Sequence, residues 1–430
     1  MNMLNGFIYR RQRPIVLFVL LSVALGGCMQ NPRTTDQEIT PSTTTTSGSE
    51  PSLSAVPIVP EQPVTSTPLP TQPPPTRPIY VVDPNAYVVD PNAQRLLSNI
   101  FMLDPDTQQI IWKLETRFLP EAVLSPDGQF LYVADSYRTH VTRGEWVDAL
   151  SVYSAHSGNL LMEDVPIQGR LLYKAWPSGA HPFIFLSDDG RQLYVGKYGD
   201  PDSSKILLSA YDPETLQLVY EGIWPPCSLR IQTMPDTWLC ANTDIAPESP
   251  PSAMTFSLYA VDPRRGTIEE TFFTNPNLLV AGMAASLDES LIYVVTNELA
   301  LLTIDMKTGK IMETKPLKHT TGWELVGDSM VLSPDGTRLY LGFDSGRDEI
   351  SIYTDMISIY DTNNWELLKT ISLPNSINFF SLSAMGDQLY VISLTGRSLT
   401  IYDTETYQEI AVIKDLGGSP STILVPKATQ

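Results

Sequence analysis

The sequence predicts an all-β protein, a seven-bladed β-propeller closed by an N-terminal strand that pairs with the C-terminal blade. Two motifs predict it, because each joins short apolar strands through a turn and each recurs along the chain. The motifs interleave, so every repeat contains four strands, which is the content of one propeller blade. Of the 430 residues, 42% are hydrophobic, a normal share for a chain that buries a core.

The first motif is an apolar strand that ends in Asp or a polar substitute. Successive strand ends lie 42 to 58 residues apart, close to the repeat length of propeller blades. A turn follows most ends, as in Asp361-Thr362-Asn363-Asn364, and another strand follows the turn. The seven ends are Asp104, Ser154, Asp212, Asp262, Asp305, Asp361 and Asp403.

The second motif is a Ser-Pro-Asp-Gly turn followed by a Leu-Tyr-Val strand. It is clearest at residues 125–133 and 333–341. Pro presets the first turn dihedral and Gly takes the strained position, so we interpret the repeated Asp and Pro-Asp-Gly residues as structural. A third copy lies at residues 187–195, with Asp in place of Pro. Weaker copies lie at residues 286–294 and 383–391, with a degenerate one before Trp238.

The number of strands predicts how the ring closes. Seven strands end in Asp or its substitute, but only six Leu-Tyr-Val strands follow residue 118. The last segment, 421–425, begins a blade, so the missing strand must lie at the front of the chain. Residues 80–86 repeat as 87–93, and the sequence leaves open which copy closes the ring. Closure covers the sheet edges that a linear array would expose.

These repeats resemble the YVTN family of β-propeller repeats, and residues 293–297 read Tyr-Val-Val-Thr-Asn. The resemblance covers residues 79–426. It implies a propeller of the kind found in bacterial and archaeal surface and periplasmic proteins and in lactonase-like propellers. It does not imply one activity, because propellers support many functions.

Residues 1–27 have the pattern of a secretory signal peptide. Arg10 and Arg11 precede an apolar run at 15–25, and Gly26-Gly27 precede Cys28. The run is shorter than the about 20 residues of a membrane-spanning helix. Residues 25–28 read Leu-Gly-Gly-Cys and resemble the lipobox of bacterial lipoproteins, which implies that Cys28 is acylated and becomes the first mature residue. An ordinary signal peptide with a chance Cys is the alternative.

Residues 28–77 form the predicted tether. Between residues 29 and 77, 28 of 49 residues are Pro, Ser or Thr and none is aromatic. Such a segment buries too little apolar surface to fold, so we expect a disordered, extended linker.

The propeller then occupies residues 78–430. We expect it to lie outside the cytoplasm in the cell envelope, anchored to a membrane through its N-terminal lipid. Met29 rather than Asp favours the outer membrane if there are two membranes; with one, the protein lies at the cell surface.

Charge and composition narrow the function. The net charge of −20 argues against nucleic acid as a partner, because phosphate backbones would be repelled. Four His and three Cys are too few for a large metal cluster, so we expect neither a metal nor a cofactor. No catalytic motif occurs, and the catalytic residues, if any, are unknown.

Candidate ligand-binding residues lie in loops between the Leu-Tyr-Val and Asp-ending strands. The loops at 135–149, 198–207, 242–255 and 344–357 are long, whereas those at 296–300 and 393–398 are short. Variable loops on a rigid scaffold are the usual place for recognition, and aromatic and Arg residues dominate binding hot spots. The candidates are Tyr137, Arg138, His140, Arg143, Trp146 and, before an inner strand, His181.

Cys227 and Cys240 are predicted to form a disulfide. Aligning Cys240 with Leu341 places the hairpin turn at Thr233-Met234, midway between the two Cys. They would then be opposed on adjacent strands, near the distance of a bridge. The alternatives are two buried thiols or a bulge that breaks this register.

Two functions follow from these observations. The first is a lipid-anchored, non-enzymatic binding or scaffold module for a protein, glycan or other ligand of the cell envelope. The second is a lactonase-like hydrolase, or another enzyme acting in the propeller channel. The scarcity of His favours the first.

Overall fold

The computed structural model describes residues 76–89, 96–138, 146–171, 184–187, 189–198, 206–224, 229–233, 237–245, 254–276, 278, 280–286, 288, 290–318, 324–344, 354–393, 396–418 and 420–427. These residues form strands and turns and contain no helix. In chain order the first fourteen strands are β1 (Ile79–Val89), β2 (Leu96–Asp104), β3 (Gln109–Thr116), β4 (Phe118–Leu124), β5 (Phe130–Arg138), β6 (Trp146–Ser154), β7 (Leu160–Ile167), β8 (Arg170–Leu171), β9 (Ile184–Leu186), β10 (Leu193–Tyr198), β11 (Ile206–Tyr211), β12 (Leu218–Ile223), β13 (Leu229–Thr233) and β14 (Trp238–Ile245). The other fourteen are β15 (Met254–Asp262), β16 (Thr267–Pro276), β17 (Val280–Ala285), β18 (Leu291–Thr296), β19 (Ala300–Asp305), β20 (Lys310–Pro316), β21 (Glu324–Leu332), β22 (Arg338–Asp344), β23 (Thr354–Asp361), β24 (Leu367–Leu382), β25 (Gln388–Ser393), β26 (Ser398–Asp403), β27 (Glu409–Ile413) and β28 (Thr422–Leu424).

The strands make seven antiparallel blades, as predicted. We call the four strands of a blade a to d, in their order across the blade. From a to d, blade 1 is β28-β1-β2-β3, blade 2 is β4 to β7, blade 4 is β13 to β16 and blade 5 is β17 to β20. Blade 3 has β9 and β8 beside β10, followed by β11 and β12.

Blades 6 and 7 share one sheet, β21 to β27, because β24 belongs to both. The first part of β24 pairs with β23 as strand d of blade 6, and its last part pairs with β25 as strand a of blade 7. Irregular pairing between Ile377 and Phe379 marks the passage between the two roles. Seven blades therefore appear as six hydrogen-bonded sheets.

The ring closes through the first copy of the repeated heptapeptide. Tyr80, Val81 and Val82 pair on one side with β28, where Val81 faces Ile423, and on the other side with β2. The second copy continues the same strand but pairs only with β2, through Val88 and Val89. The structure thus confirms closure by an N-terminal strand and identifies the copy that the sequence left open.

The hydrophobic core lies between neighbouring blades. Side chains alternate across each strand, so Val81 packs toward blade 7 with Ile392, while Tyr80 and Val82 pack toward blade 2 with Leu131. Both faces of a blade are covered in this way. The Leu-Tyr-Val strands are accordingly apolar at consecutive positions, as expected for strands buried on both faces.

Asp and Ser side chains hold the a–b turns, which lie on what we call the turn face. In blade 6, Ser333 Oγ donates to Asp335 Oδ1 over 2.5 Å and accepts from Arg338 N over 2.9 Å. The hydrogen bond from Ser333 is the largest cause that holds the pKa of the Asp335 carboxyl below its ordinary value, and hydrogen bonds from Thr337 add to it. The structural role that the sequence predicts for these Asp residues is therefore present.

The Pro and Gly of these turns also join neighbouring blades. A Cβ atom at Gly386 would lie 2.9 Å from Cδ of Pro334 in the preceding blade, and one at Gly190 would lie 3.0 Å from Cγ of Pro126. Both glycines have positive φ. Pro-Asp-Gly therefore supplies a close contact between blades as well as a turn, which a local reading of the motif does not reveal.

Candidate functional site

The candidate site is the loop face, opposite the turn face, where the b–c connections lie and the a strands begin. The two connections predicted to be short, 297–299 and 394–397, have the expected bounds. The others are shorter than predicted because their strands continue the ladder. The loop predicted at 135–149 is reduced to 139–145. Aromatic and β-branched residues such as Tyr137, Trp146 and Val147 favour this extension.

The predicted binding residues of blade 2 lie around the end of one hairpin. Tyr137 pairs with Val147 and Arg138 pairs with Trp146 at the last positions of β5 and β6. The structure therefore brings Tyr137, Arg138 and Trp146 together in the backbone of the loop face. His140, Arg143 and His181 lie outside the described residues.

A buried polar position at the loop face was missed by sequence reasoning. Three residues after the Tyr position of several b strands, where the strand reaches the loop face, the side chain is polar. Five such side chains are each at most 6% exposed: Asp83, Asp135, Lys197, Thr296 and Ser393. The signal in the sequence was the change from apolar to polar after Leu-Tyr-Val, which recurs from blade to blade.

Arg117 organises the charges of blade 2. It lies between β3 and β4, and its guanidinium forms two hydrogen bonds of 2.6 and 2.8 Å to the carboxylate of Asp164. Its Nη2 lies 2.8 Å from Asp135 Oδ1, close enough for an ion pair but without hydrogen-bond alignment. Its backbone N–H donates to Asp135 Oδ2 over 3.1 Å. One arginine thus joins the link from blade 1 to strands b and d of blade 2.

Burial and charge act in opposite directions on this network. Desolvation raises the pKa of the Asp135 carboxyl above its ordinary value, and the nearby Arg117 charge offsets only part of the effect. Burial would lower the pKa of Arg117, but the charges of Asp135 and Asp164 and the hydrogen bonds to Asp164 outweigh it and hold that pKa above its ordinary value. The arginine therefore stays charged, and the buried carboxylate depends on it.

Blade 3 has an equivalent network with a different distribution of charge. Lys197 takes the place of Asp135 on strand b, is 2% exposed and lies 2.5 Å from Glu221 Oε2 on strand d. Ser209 on strand c donates to the same Glu221 oxygen over 2.9 Å. In blade 2, Ser151 donates to Asp164 from the corresponding strand. Both networks connect strands within the scaffold.

Two further carboxylates at the loop face bind backbone amides. Asp83 Oδ2 accepts from Gly418 N over 2.7 Å, in the segment that leads into β28. Asp148 accepts from the hydroxyl of Ser136 and from Leu171 N, the latter over 2.6 Å. In these interactions the carboxylates hold connecting segments in place.

The described residues contain no cluster of three or more His, Cys, Asp or Glu able to hold a metal ion. Within the same part of the chain, no helix has the length and hydropathy needed to cross a membrane. The chemistry visible at the loop face is that of ion pairs and amide hydrogen bonds within the scaffold.

The register predicted around Cys240 is wrong. Cys240 is buried on β14 and pairs with Arg230, and a bulge lies between Arg230 and Gln232. Thr233 pairs with Trp238, which moves the centre of the hairpin two residues beyond the predicted one. The sequence between them contains Pro235 and Asp236, the same pair as in the Pro-Asp-Gly turns, and this signal was overlooked. Cys227 lies outside the described residues, so its disulfide with Cys240 stays a prediction.

Comparison with known proteins gives one family description, methylamine dehydrogenase heavy chain (MADH), over residues 83–203. The methylamine dehydrogenase heavy chain of Paracoccus versutus is 24% identical over 373 residues, which cover 81% of this chain and 79% of that protein. The corresponding protein of Methylorubrum extorquens is 20% identical over 360 residues, covering 81% and 82%.

Solved structures give the same fold. The dihydro-heme d1 dehydrogenase NirN in complex with DHE superposes with a TM-score of 0.51 at 15% identity, covering 83% of this chain and 77% of that chain. A putative 6-phosphogluconolactonase from Bacteroides fragilis superposes with a TM-score of 0.51 at 13% identity, covering 81% and 98%. The chain is thus a β-propeller that is similar over four fifths of its length to methylamine dehydrogenase heavy chains.

Proposed function

We propose that this protein is a lipid-anchored propeller of the YVTN and lactonase-like kind, acting outside the cytoplasm as a non-enzymatic binding module. A protein of the cell envelope is the partner that we favour, with a glycan as the other class. The observation that carries the proposal is the contrast within the loop face. Its buried carboxylates and Lys197 hold the scaffold together. Its b–c connections, in contrast, vary in length from three residues, at 297–299, to nine, at 345–353. Recognition then belongs to the variable loops.

The similarity to methylamine dehydrogenase heavy chains supports a protein partner. A protein named as a heavy chain is one subunit of an assembly, and the similarity covers 81% of the present chain. We infer that this propeller also works beside another chain. Activity, where there is any, would then belong to the assembly.

The point where the chain enters the propeller also supports a loop face that is open to a partner. Arg77 pairs with Asp387 in the a–b turn of blade 7, and Thr76 donates to Asp106 in the c–d turn of blade 1. The chain therefore enters from the turn face. A tether that runs from Cys28 to this point would attach at the turn face and leave the loop face unobstructed for a partner.

Site-specific photocrosslinking in the organism that makes the protein tests the proposal. A photoreactive amino acid replaces Arg143, which follows β5 and precedes β6 in the sequence, Asn363 on the turn face or Glu269 on an outer strand; the last two are exposed control positions. We expect an adduct of one defined mass from position 143 and none from the controls. Equal adducts from all three positions, or none from 143, would contradict it.

The lactonase-like alternative has a separate test. The purified chain is incubated with sugar lactones, and acid release is compared with that of a heat-denatured sample. Release at the background rate is expected. Turnover above it would favour the hydrolase.

A further inference from the structure

The ring-closing strand contains an internal duplication that the structure uses unequally. Residues 80–86 and 87–93 have the same seven amino acids, Tyr-Val-Val-Asp-Pro-Asn-Ala. β1 contains the first copy and the start of the second. The first copy pairs with both β28 and β2, whereas Val88 and Val89 of the second pair only with β2, opposite Leu97 and Leu96.

The contacts that close the ring use groups that both copies possess. Tyr80 is fully buried, and its hydroxyl donates to the carbonyl of Ala155 in blade 2 over 3.2 Å. Asp83 accepts from Gly418 N beside β28. The second copy supplies a Tyr and an Asp at the same spacing. No side chain inside the heptapeptide therefore distinguishes the two copies as partners for β28.

We propose that the two copies are interchangeable closing segments. In a minor state, Tyr87, Val88 and Val89 replace Tyr80, Val81 and Val82 between β28 and β2. The first copy then joins the N-terminal tether, which becomes longer by seven residues, about 23 Å at about 3.3 Å per residue. The exchange itself does not depend on the proposed function, although its use as an extension of the tether does.

The residues beside the heptapeptide decide which state dominates. Ile79 is 1% exposed and packs in the cluster between blades 1 and 7. In the exchanged state its place falls to Ala86, which fills less of that space, so the first copy is preferred. The connection to β2 does not prevent the exchange. Residues 91–98 would remain between the new strand end and Asn99, enough for a hairpin connection.

The alternation of side chains along the strand determines how the exchange happens. A strand that slides one residue at a time presents every side chain to the wrong face at each odd step. The first copy must therefore leave the sheet before the second enters. A pull on the tether acts on β1 from the turn face, along the strand, and favours this detachment.

Cysteine cross-linking of the full exported chain tests the exchange. V81C/I423C joins positions that are paired in the structure, and we expect it to cross-link almost completely under mild oxidation. V88C/I423C can cross-link only in the exchanged state, and we expect a slower, partial product. V89C/I423C is the matched control, because position 89 would then face Thr422. Cross-linked peptides are identified by mass spectrometry, since Cys240 is also present.

A double-mutant cycle gives a second readout that needs no new cysteine. V88D alone should lower the melting temperature slightly, because the first copy closes the ring. V81D places a charge in a buried position, and the second copy should partly restore closure. V88D should then lower the melting temperature several-fold more in the V81D background than in the wild type. Additive effects, or a V88C/I423C product no larger than that of V89C/I423C, would overturn the proposal.

Discussion

At the scale of single residues, Arg117 is the group on which the loop-face charges of blade 2 depend. It neutralises Asp135, which is only 1% exposed, while Asp164 is half exposed to solvent. Arg117→Met keeps an apolar stem but leaves a buried carboxylate without its cation. We expect the free energy of unfolding to fall by about 3–5 kcal/mol at neutral pH, as measured by chemical denaturation.

The pH dependence of this loss has a definite sign. Burial already raises the pKa of Asp135, and removing Arg117 raises it further. Between the unfolded and the folded pKa the native variant holds a proton that the unfolded chain releases, so its stability falls as pH rises through that window. The deficit should therefore be smallest in acid. R117M/D135N, which removes both charges, is the control; a deficit of R117M that is equal at acid and neutral pH would contradict this account.

The sequence shows these residues but not which of them form pairs. A polar residue after Leu-Tyr-Val is visible at Asp135 and Lys197. The burial of this polar residue is not visible in the sequence, because burial depends on the neighbouring blade. The partner of Asp135 lies 18 residues earlier in a link between blades, and the partner of Lys197 is on the outer strand of its own blade. Sequence spacing could not have paired them.

At the scale of elements, the closing strand is expected to be essential and the tether dispensable. Deleting residues 78–93 removes both copies of the heptapeptide and leaves β28 and β2 without the strand between them. We expect cooperative thermal unfolding to be lost. Deleting residues 40–70 should leave the melting temperature unchanged, because this segment precedes the first described residue of the propeller.

A single-copy deletion makes the comparison sharper. Removing residues 80–86 leaves one complete heptapeptide, so a closed ring with a cooperative transition is expected. An unchanged melt after deletion of 78–93 would show that the ring closes elsewhere.

Blade 4 provides a second prediction at this scale. Cys240 is buried on β14, and we predict that it forms a disulfide with Cys227. A bridge closing a loop of this size contributes about 3 kcal/mol by the chain-entropy model, which would support the blade with the most degenerate turn. Peptide mapping of the exported protein without reduction should give one peptide pair containing Cys227 and Cys240. Recovery of both as freely alkylated thiols would contradict the pairing.

Residues close together in the sequence predicted the strands and turns well. The loop bounds and the blade 4 hairpin were predicted less well, because they depend on pairing between strands. Turn residues and apolar strands identified seven blades and their closure, because Pro-Asp-Gly and Leu-Tyr-Val act within a few residues. The loop bounds were less accurate, since the ladder of β5 and β6 continues to Arg138 and Trp146. The hairpin of blade 4 was misplaced because Pro235-Asp236 was overlooked. The bulge between Arg230 and Gln232, which changes the register again, is a property of the pair of strands.

At the scale of the whole molecule, the propeller separates two surfaces with different chemistry. Its turn face is held by repeated Ser–Asp hydrogen bonds and receives the chain at Arg77. Its loop face has connections of variable length around buried, paired charges. The first surface suits attachment and the second suits recognition, so the proposed anchor and the proposed binding role are compatible.

The anchor itself is tested at Cys28. It follows Leu25-Gly26-Gly27 at the end of an apolar run, and acylation there would bury hydrocarbon at about 0.8 kcal/mol per CH₂, enough for stable attachment when one residue has several chains. Metabolic labelling with a fatty-acid probe should label the wild type and not Cys28→Ala, and the variant should move from the membrane to the soluble fraction. Its purified propeller should melt like the wild type, because the acylated end precedes the folded residues. Equal labelling of both proteins would exclude Cys28 as the acylated residue and remove the basis for the proposed membrane anchor.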